Sequence, residues 1–225
     1  MTELFRFETT FAALHEGAAD FDPQLTEFFA LDETLRYQVR LPADAQQAPG
    51  LLVYVSPKSG AALPDAWAPA LDRHNLIWVG AENSGNDVHV ARRVGMALLA
   101  PAVARHYRDP DTARHLLSGF SGGGRVASMM LPAYPEIYSG ALFICGANPV
   151  AILTDVTQQR LRDVPMVFLT GTGDFNLQDT QWSIASFQQA GLAAQLVVIE
   201  GLGHALPEEI DGVLDTLAPG PGNPV

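Results

Sequence analysis

The chain has 225 residues and a formal net charge of −12, with 13 Lys and Arg against 25 Asp and Glu. That balance leaves no basic footprint for nucleic acid or an anionic membrane. Apolar residues at 48% suffice for a substantial core, and the one cysteine, Cys145, excludes an intrachain disulfide.

The first stretch, MTELFRFETTF, has no basic region ahead of an apolar run, so no export signal is read in it. No apolar run approaches the roughly 20 residues of a membrane span, and a cytoplasmic protein is expected. LFRFETTF reads instead as a strand. Its partner is TLRYQVRLP, where Leu35, Tyr37, Val39 and Leu41 alternate with Thr34, Arg36, Gln38 and Arg40. After Pro42 the alternation stops. Six continuous apolar runs follow, at 51–55, 76–81, 115–119, 141–145, 166–170 and 195–199, each predicted as a strand of a parallel sheet buried on both faces. Helices are predicted between them over 62–74, 88–108, 122–134, 178–190 and 206–217, with a short one over 150–161.

This alternation predicts one α/β domain over 1–217, with a doubly wound, mostly parallel sheet of about eight strands led by an antiparallel hairpin. Only about 20 residues separate Cys145 from Met166, too few for a lid domain. Any site at the carboxyl ends of the strands is therefore expected to be open. Residues 218–225, rich in Pro and Gly, read as a loose tail. Cys145, inside an apolar run, reads as a small buried hydrophobe.

The third apolar run ends in LLSGFSGGG, residues 116–124, which sets one hydroxyl among four glycines between a strand and a helix. Two chemistries want that arrangement, a nucleophile on a strained turn or a phosphate in a glycine cradle. Gly122, Gly124 and Ala127 have the spacing of a dinucleotide fingerprint, but several strands precede them and the next strand ends without the acid that would hold a ribose. A P-loop would need Gly-Lys-Ser/Thr, which is absent. The nucleophile reading fits. Gly119-Phe120-Ser121-Gly122-Gly123 is G-x-S-x-G in its strand–turn–helix context. Ser121 is the candidate nucleophile, and the Gly122 amide, at a helix N-terminus, is a candidate oxyanion donor.

A serine nucleophile needs a base, and the base an orienting acid, in the order Ser, acid, His on such a fold. One histidine follows Ser121, namely His204 in VVIEGLGHALP. The acid should follow the preceding strand, where MVFLTGTGDFN presents Asp174; Asp155, Asp163 and Asp179 are rivals on less suitable segments. The second oxyanion donor should come from SPKSG, after the first parallel run. Pro57 has no N–H, which leaves the amide of Lys58, with Ser59 next. Asn83, Asn86 and Asn176 fall in loops at the strands' carboxyl ends, either lining a substrate pocket or simply solvated.

With these residues placed, the chain resembles the α/β-hydrolase superfamily over nearly its whole length. AENSGND, GFSGGGRVAS, YPEIYSGALFICGAN and FLTGTGDFN look like a compact esterase branch near feruloyl esterases and polyhydroxyalkanoate depolymerases. The chain departs from the secreted members in showing no signal, disulfide or binding module, and it reads SPK where many relatives carry His-Gly. The resemblance implies a carboxylic-ester hydrolase acting on a small-molecule ester without metal or cofactor. Thioester or peptide hydrolysis by the same three residues is an alternative, as is a catalytically silent binding protein on the same fold.

Overall fold

The computed structural model describes residues 4–19, 21–43 and 47–217; the tail 218–225 lies outside them. Eight strands make one sheet: β1 (Leu4–Thr10), β2 (Thr34–Arg40), β3 (Gly50–Val55), β4 (Leu76–Ala81), β5 (His115–Phe120), β6 (Gly140–Ile144), β7 (Met166–Gly171) and β8 (Ala194–Ile199). Their order is β1-β2-β4-β3-β5-β6-β7-β8. β1 and β2 are antiparallel, with Leu4 opposite Arg40 and Thr10 opposite Thr34, and β2 is antiparallel to β4. From β4 to β8 every pairing is parallel.

The alternating pattern of β2 buries Leu35, Tyr37 and Val39 as expected. Its link to β1 is longer than a tight hairpin. It holds α1 (Phe11–His15) and a 3₁₀ turn at Pro23–Phe28, neither read from the sequence. Here Phe11 stacks on Phe29 at 4.7 Å and meets Phe21 edge-on at 5.7 Å, so the segment is fastened by aromatic packing rather than by helical periodicity.

The helices are α2 (Ala68–Arg73), α3 (Val90–Leu98), α4 (Ala100–Tyr107), α5 (Gly122–Ala133), α6 (Asp155–Leu161), α7 (Leu177–Gln189) and α8 (Asp211–Leu217). The predicted 150–161 is helical only from Asp155, where Thr154 caps the helix. Three further predictions are corrected, and proline accounts for each. The predicted helix 88–108 divides at Leu99, because Pro101 has no N–H to give to the preceding turn. The predicted 62–74 is helical only from Ala68, after Pro64 and a 3₁₀ turn at Asp65–Trp67. The predicted 206–217 starts late, at Asp211, beyond Pro207.

Strands β3 to β7 are buried along nearly their whole length, and each sheet face carries its own core. One gathers Tyr37, Val53, Leu117, Phe143 and Phe168 beneath α3, α4, α5 and α7. The other gathers Leu52, Trp67, Trp78, Leu142 and Leu214 beneath α2 and α8. β8 departs from the expectation: it is the sheet edge, and Leu196 and Val198 are 36% and 42% exposed. Among the described residues, no helix is long and apolar enough to cross a membrane.

Candidate active site

The carboxyl ends of β5, β7 and β8 open onto the same rim of the sheet. β5 runs directly into Ser121, whose backbone sits at φ 53°, ψ −120°, a region a side-chain-bearing residue enters only under constraint. The Ser121 N–H is tied to Ile144 O at 2.7 Å. The flanking glycines are demanded by close approach. A Cβ on Gly119 would lie 2.4 Å from Gly123 O, and one on Gly123 would lie 1.9 Å from Val55 O. Because α5 begins at Gly122, directly after Ser121, the N–H of that residue has no partner inside the helix.

The turn after β7 delivers Asp174, which is buried. Burial alone would raise its carboxyl. Hydrogen bonds from the Asn176 N–H (2.9 Å), the Cys145 thiol, His204 and Thr170 Oγ1 (2.8 Å) outweigh that and hold it below the ordinary carboxylate value. The turn after β8 delivers His204, and the two turns are laced together by Gly173 N to Leu202 O and Gly201 N to Thr172 Oγ1, both 2.9 Å. His204 Nδ1 lies 2.8 Å from Asp174 Oδ1, and Nε2 lies 2.9 Å from Ser121 Oγ. Three residues 83 positions apart at the extremes thus stand on one hydrogen-bonded line. The rival acids are elsewhere. Asp179 pairs with Arg125 at 3.0 Å, Asp155 sits in the first turn of α6, and Asp163 is exposed beyond it.

The His204 ring lies between two aromatics, Phe120 at 5.0 Å and Phe175 at 4.1 Å, and Phe175 is itself 77% exposed. Behind the line stands Cys145, at φ 54°, with Sγ 3.4 Å from Ala205 O. Burial and the neighbouring Asp174 push its thiol up to about 12, so it remains protonated and is a poor nucleophile and metal ligand. Cys145, Asp174 and His204 have ligand atoms within 4.8 Å of one another, yet each is already spent on a hydrogen bond. The sequence reading took Cys145 as filler; its contacts with the acid had no signature in composition.

The loop after β3 is fixed by a residue that the sequence reading passed over. Arg93 of α3, buried, donates through Nη2 to Ser56 O at 2.9 Å and through Nε to Ser84 O at 2.8 Å. Two backbone bonds join the same loops, Asn83 N to Ser59 O at 2.6 Å and Asn86 N to Pro57 O at 2.9 Å. The Lys58 N–H points at Ser56 Oγ, 3.1 Å away. Asn83 is exposed, holds φ 52° and is absent from the cleft lining, whereas Asn86 lines the cleft beside Ser121. Asn176 also lines it, although its side chain is committed to Cys145 O at 2.9 Å.

Solved structures similar to this chain include esterases and other hydrolases. A ferulic acid esterase superposes with a TM-score of 0.68 at 16% identity, covering 97% of this chain and 97% of its own. An S-formylglutathione hydrolase from Staphylococcus aureus gives 0.62 at 12% identity, with 91% of both chains covered. A fungal esterase from Rhizomucor miehei gives 0.63 at 12%, covering 92% of this chain and 77% of its own. The fold is that of the α/β-hydrolases. No family model matches the chain, and no curated protein matches it either.

On this α/β-hydrolase sheet two clefts flank Ser121 and His204. One, of about 490 Å³, is lined by Ser121, Gly122, Arg125, Met129, Asn148 and Phe175. The other, of about 290 Å³, reaches from Lys58 and Tyr54 to Phe120, His204 and Leu206. A larger cavity of about 640 Å³ lies between β1, α1 and α4. It contains none of Ser121, Asp174 or His204, so its size carries no weight for the chemistry.

Proposed function

We propose that the chain is a serine hydrolase of carboxylic esters. The observation that carries this reading is the continuous line Asp174–His204–Ser121 on a strained elbow, with bonds of 2.8 and 2.9 Å. The structural neighbours, esterases among them, agree with it. His204 accepts the Ser121 proton at Nε2 while Oγ attacks the ester carbonyl carbon. Asp174 keeps the other imidazole proton on Nδ1 and stabilises the imidazolium that forms. The Gly122 N–H meets the oxyanion, and the Lys58 N–H is the second donor, turning from Ser56 Oγ to do so. His204 then protonates the departing alcohol. Water, deprotonated by His204, cleaves the acyl-enzyme, and the proton returns to Ser121 Oγ. Each step uses residues of this chain and water alone.

Both clefts are open and no lid domain separates β6 from β7, only α6 and its loops, which favours small esters over long acyl chains. The test is labelling with a fluorophosphonate, together with hydrolysis of 4-nitrophenyl acetate. The wild-type protein is expected to be labelled and active, and Ser121→Ala to be unlabelled with kcat lower by about 10⁴-fold or more. An unlabelled wild type, or a Ser121→Ala protein of near wild-type activity, overturns the proposal.

A further inference from the structure

The smaller cleft is apolar along most of its wall, through Pro57, Ala62, Phe120 and Leu206, but besides Ser56 and His204, both already hydrogen-bonded, two polar residues line it. The first is the side chain of Lys58, the only lysine in a chain with 25 acidic residues. It is exposed and forms no ion pair among the described residues, although Arg6, Arg36, Arg40, Arg73, Arg92, Arg125 and Arg160 all pair with carboxylates. The second is the hydroxyl of Tyr54. Its residue is only 3% exposed and packs against Trp67 and Trp78, yet the hydroxyl has no hydrogen-bond partner among the described residues. Burial raises its phenol far above the usual range, so it stays protonated and is available as a donor.

The Tyr54 ring is buried but its residue lines the cleft, so its hydroxyl is open to water or to a ligand that accepts from it. Here the ring is fixed by two tryptophans at the wall of a cleft that also borders His204. Lys58, a cation with no ion pair among the described residues, lines the same cleft. Two donors that have no acceptor among the described residues, in a mostly apolar cleft, complement an anionic acceptor carried on a short apolar arm. Resting on the serine-hydrolase reading, we infer that this cleft takes a carboxylate of the substrate, received by the Lys58 ammonium and the Tyr54 hydroxyl, so that half-esters of short dicarboxylic acids or esters of carboxy-substituted alcohols are preferred to their neutral counterparts.

The experiment compares kcat/KM for two charged esters, each against its own methyl ester. Mono-4-nitrophenyl glutarate carries the carboxylate on the acyl side, and 4-acetoxybenzoate carries it on the alcohol side. A preference of about tenfold for the charged member is expected in one of the pairs, the size of one charge-assisted hydrogen bond. Lys58→Met, which keeps the backbone N–H, is expected to abolish that ratio, and Tyr54→Phe to reduce it several-fold. Equal rates within both pairs, or a preference that survives Lys58→Met, overturns the inference. Calorimetric titration of Ser121→Ala with monomethyl and dimethyl glutarate reads the cleft without turnover. Selective binding by a wild-type protein that cleaves none of the esters would overturn the hydrolase reading and leave the carboxylate site standing, whereas turnover without charge preference would do the reverse.

Discussion

Asp174 keeps a charge in a place where burial opposes one, and the four donors around its carboxylate explain how. Their effect has a sign that can be measured. The folded carboxyl sits below its ordinary 3.8, so its contribution to stability is present above that value and is lost as pH falls from 3.8 through the folded value. The melting-temperature difference between wild type and Asp174→Asn, followed by circular dichroism, is therefore expected to be largest above about pH 4. It should shrink in stronger acid; a gap that widens on acidification would contradict the donor arrangement. In activity the same substitution is expected to cost about 10⁴-fold in kcat, because an amide favours the wrong imidazole tautomer. Asp179→Asn, which removes only the negative charge paired with Arg125 and leaves the bond from Arg125 to Asn148 Oδ1, is expected to cost little. All three residues of this line were legible in the sequence, because glycine-flanked turns after apolar runs declare where a strand releases a side chain. Cys145 and Arg93 were not. A thiol in an apolar run looks the same whether or not an acid lies behind it, and a charge in a helix looks solvated until its carbonyl partners are known.

At the scale of the element, the loop after β3 depends on a helix that contributes nothing to the line itself. Arg93 on α3 spans two carbonyls, Ser56 O and Ser84 O, and so ties the loop bearing Lys58 to the loop bearing Asn86. Arg93→Leu orphans both acceptors, at about 1–3 kcal/mol for each if water cannot reach it. The expected result is a lower melting temperature and a kcat reduced by about 10²–10³-fold, the usual effect of losing one oxyanion donor. KM should change less than kcat. Arg93→Lys, which cannot span both carbonyls, should recover only part. If kcat held while stability fell, Arg93 would be a fold residue with no influence on the loop. Elements were read with uneven success for a simple reason. Strand runs and the helices α5 and α7 are set by pattern, whereas the ends of α2, α4 and α8 are set by Pro64, Pro101 and Pro207, whose effect on backbone donors outranks the apolar periodicity.

Across the whole molecule, the proposed nucleophile, acid and base come from the ends of β5, β7 and β8, and these strands are unequal in burial. β5 lies mid-sheet and fully packed, while β8 has one neighbour and presents Leu196 and Val198 to solvent. Edge strands open at lower cost than central ones. Activity on 4-nitrophenyl acetate is accordingly expected to fall at a lower urea concentration than the far-ultraviolet circular dichroism, and β8 amides to exchange hydrogen faster than those of β3 and β5. Coincident curves would show that the edge opens only with the rest. β1, at the far edge, is exposed too, but fraying there would leave the line untouched. The base is also delivered by the last strand in chain order. During synthesis the proposed nucleophile and acid emerge first, and on the proposed mechanism they would stand without a proton acceptor until β8 docks. Ester hydrolysis by this line would then begin only on a completed sheet, and a chain cut short before residue 204 would lack its base.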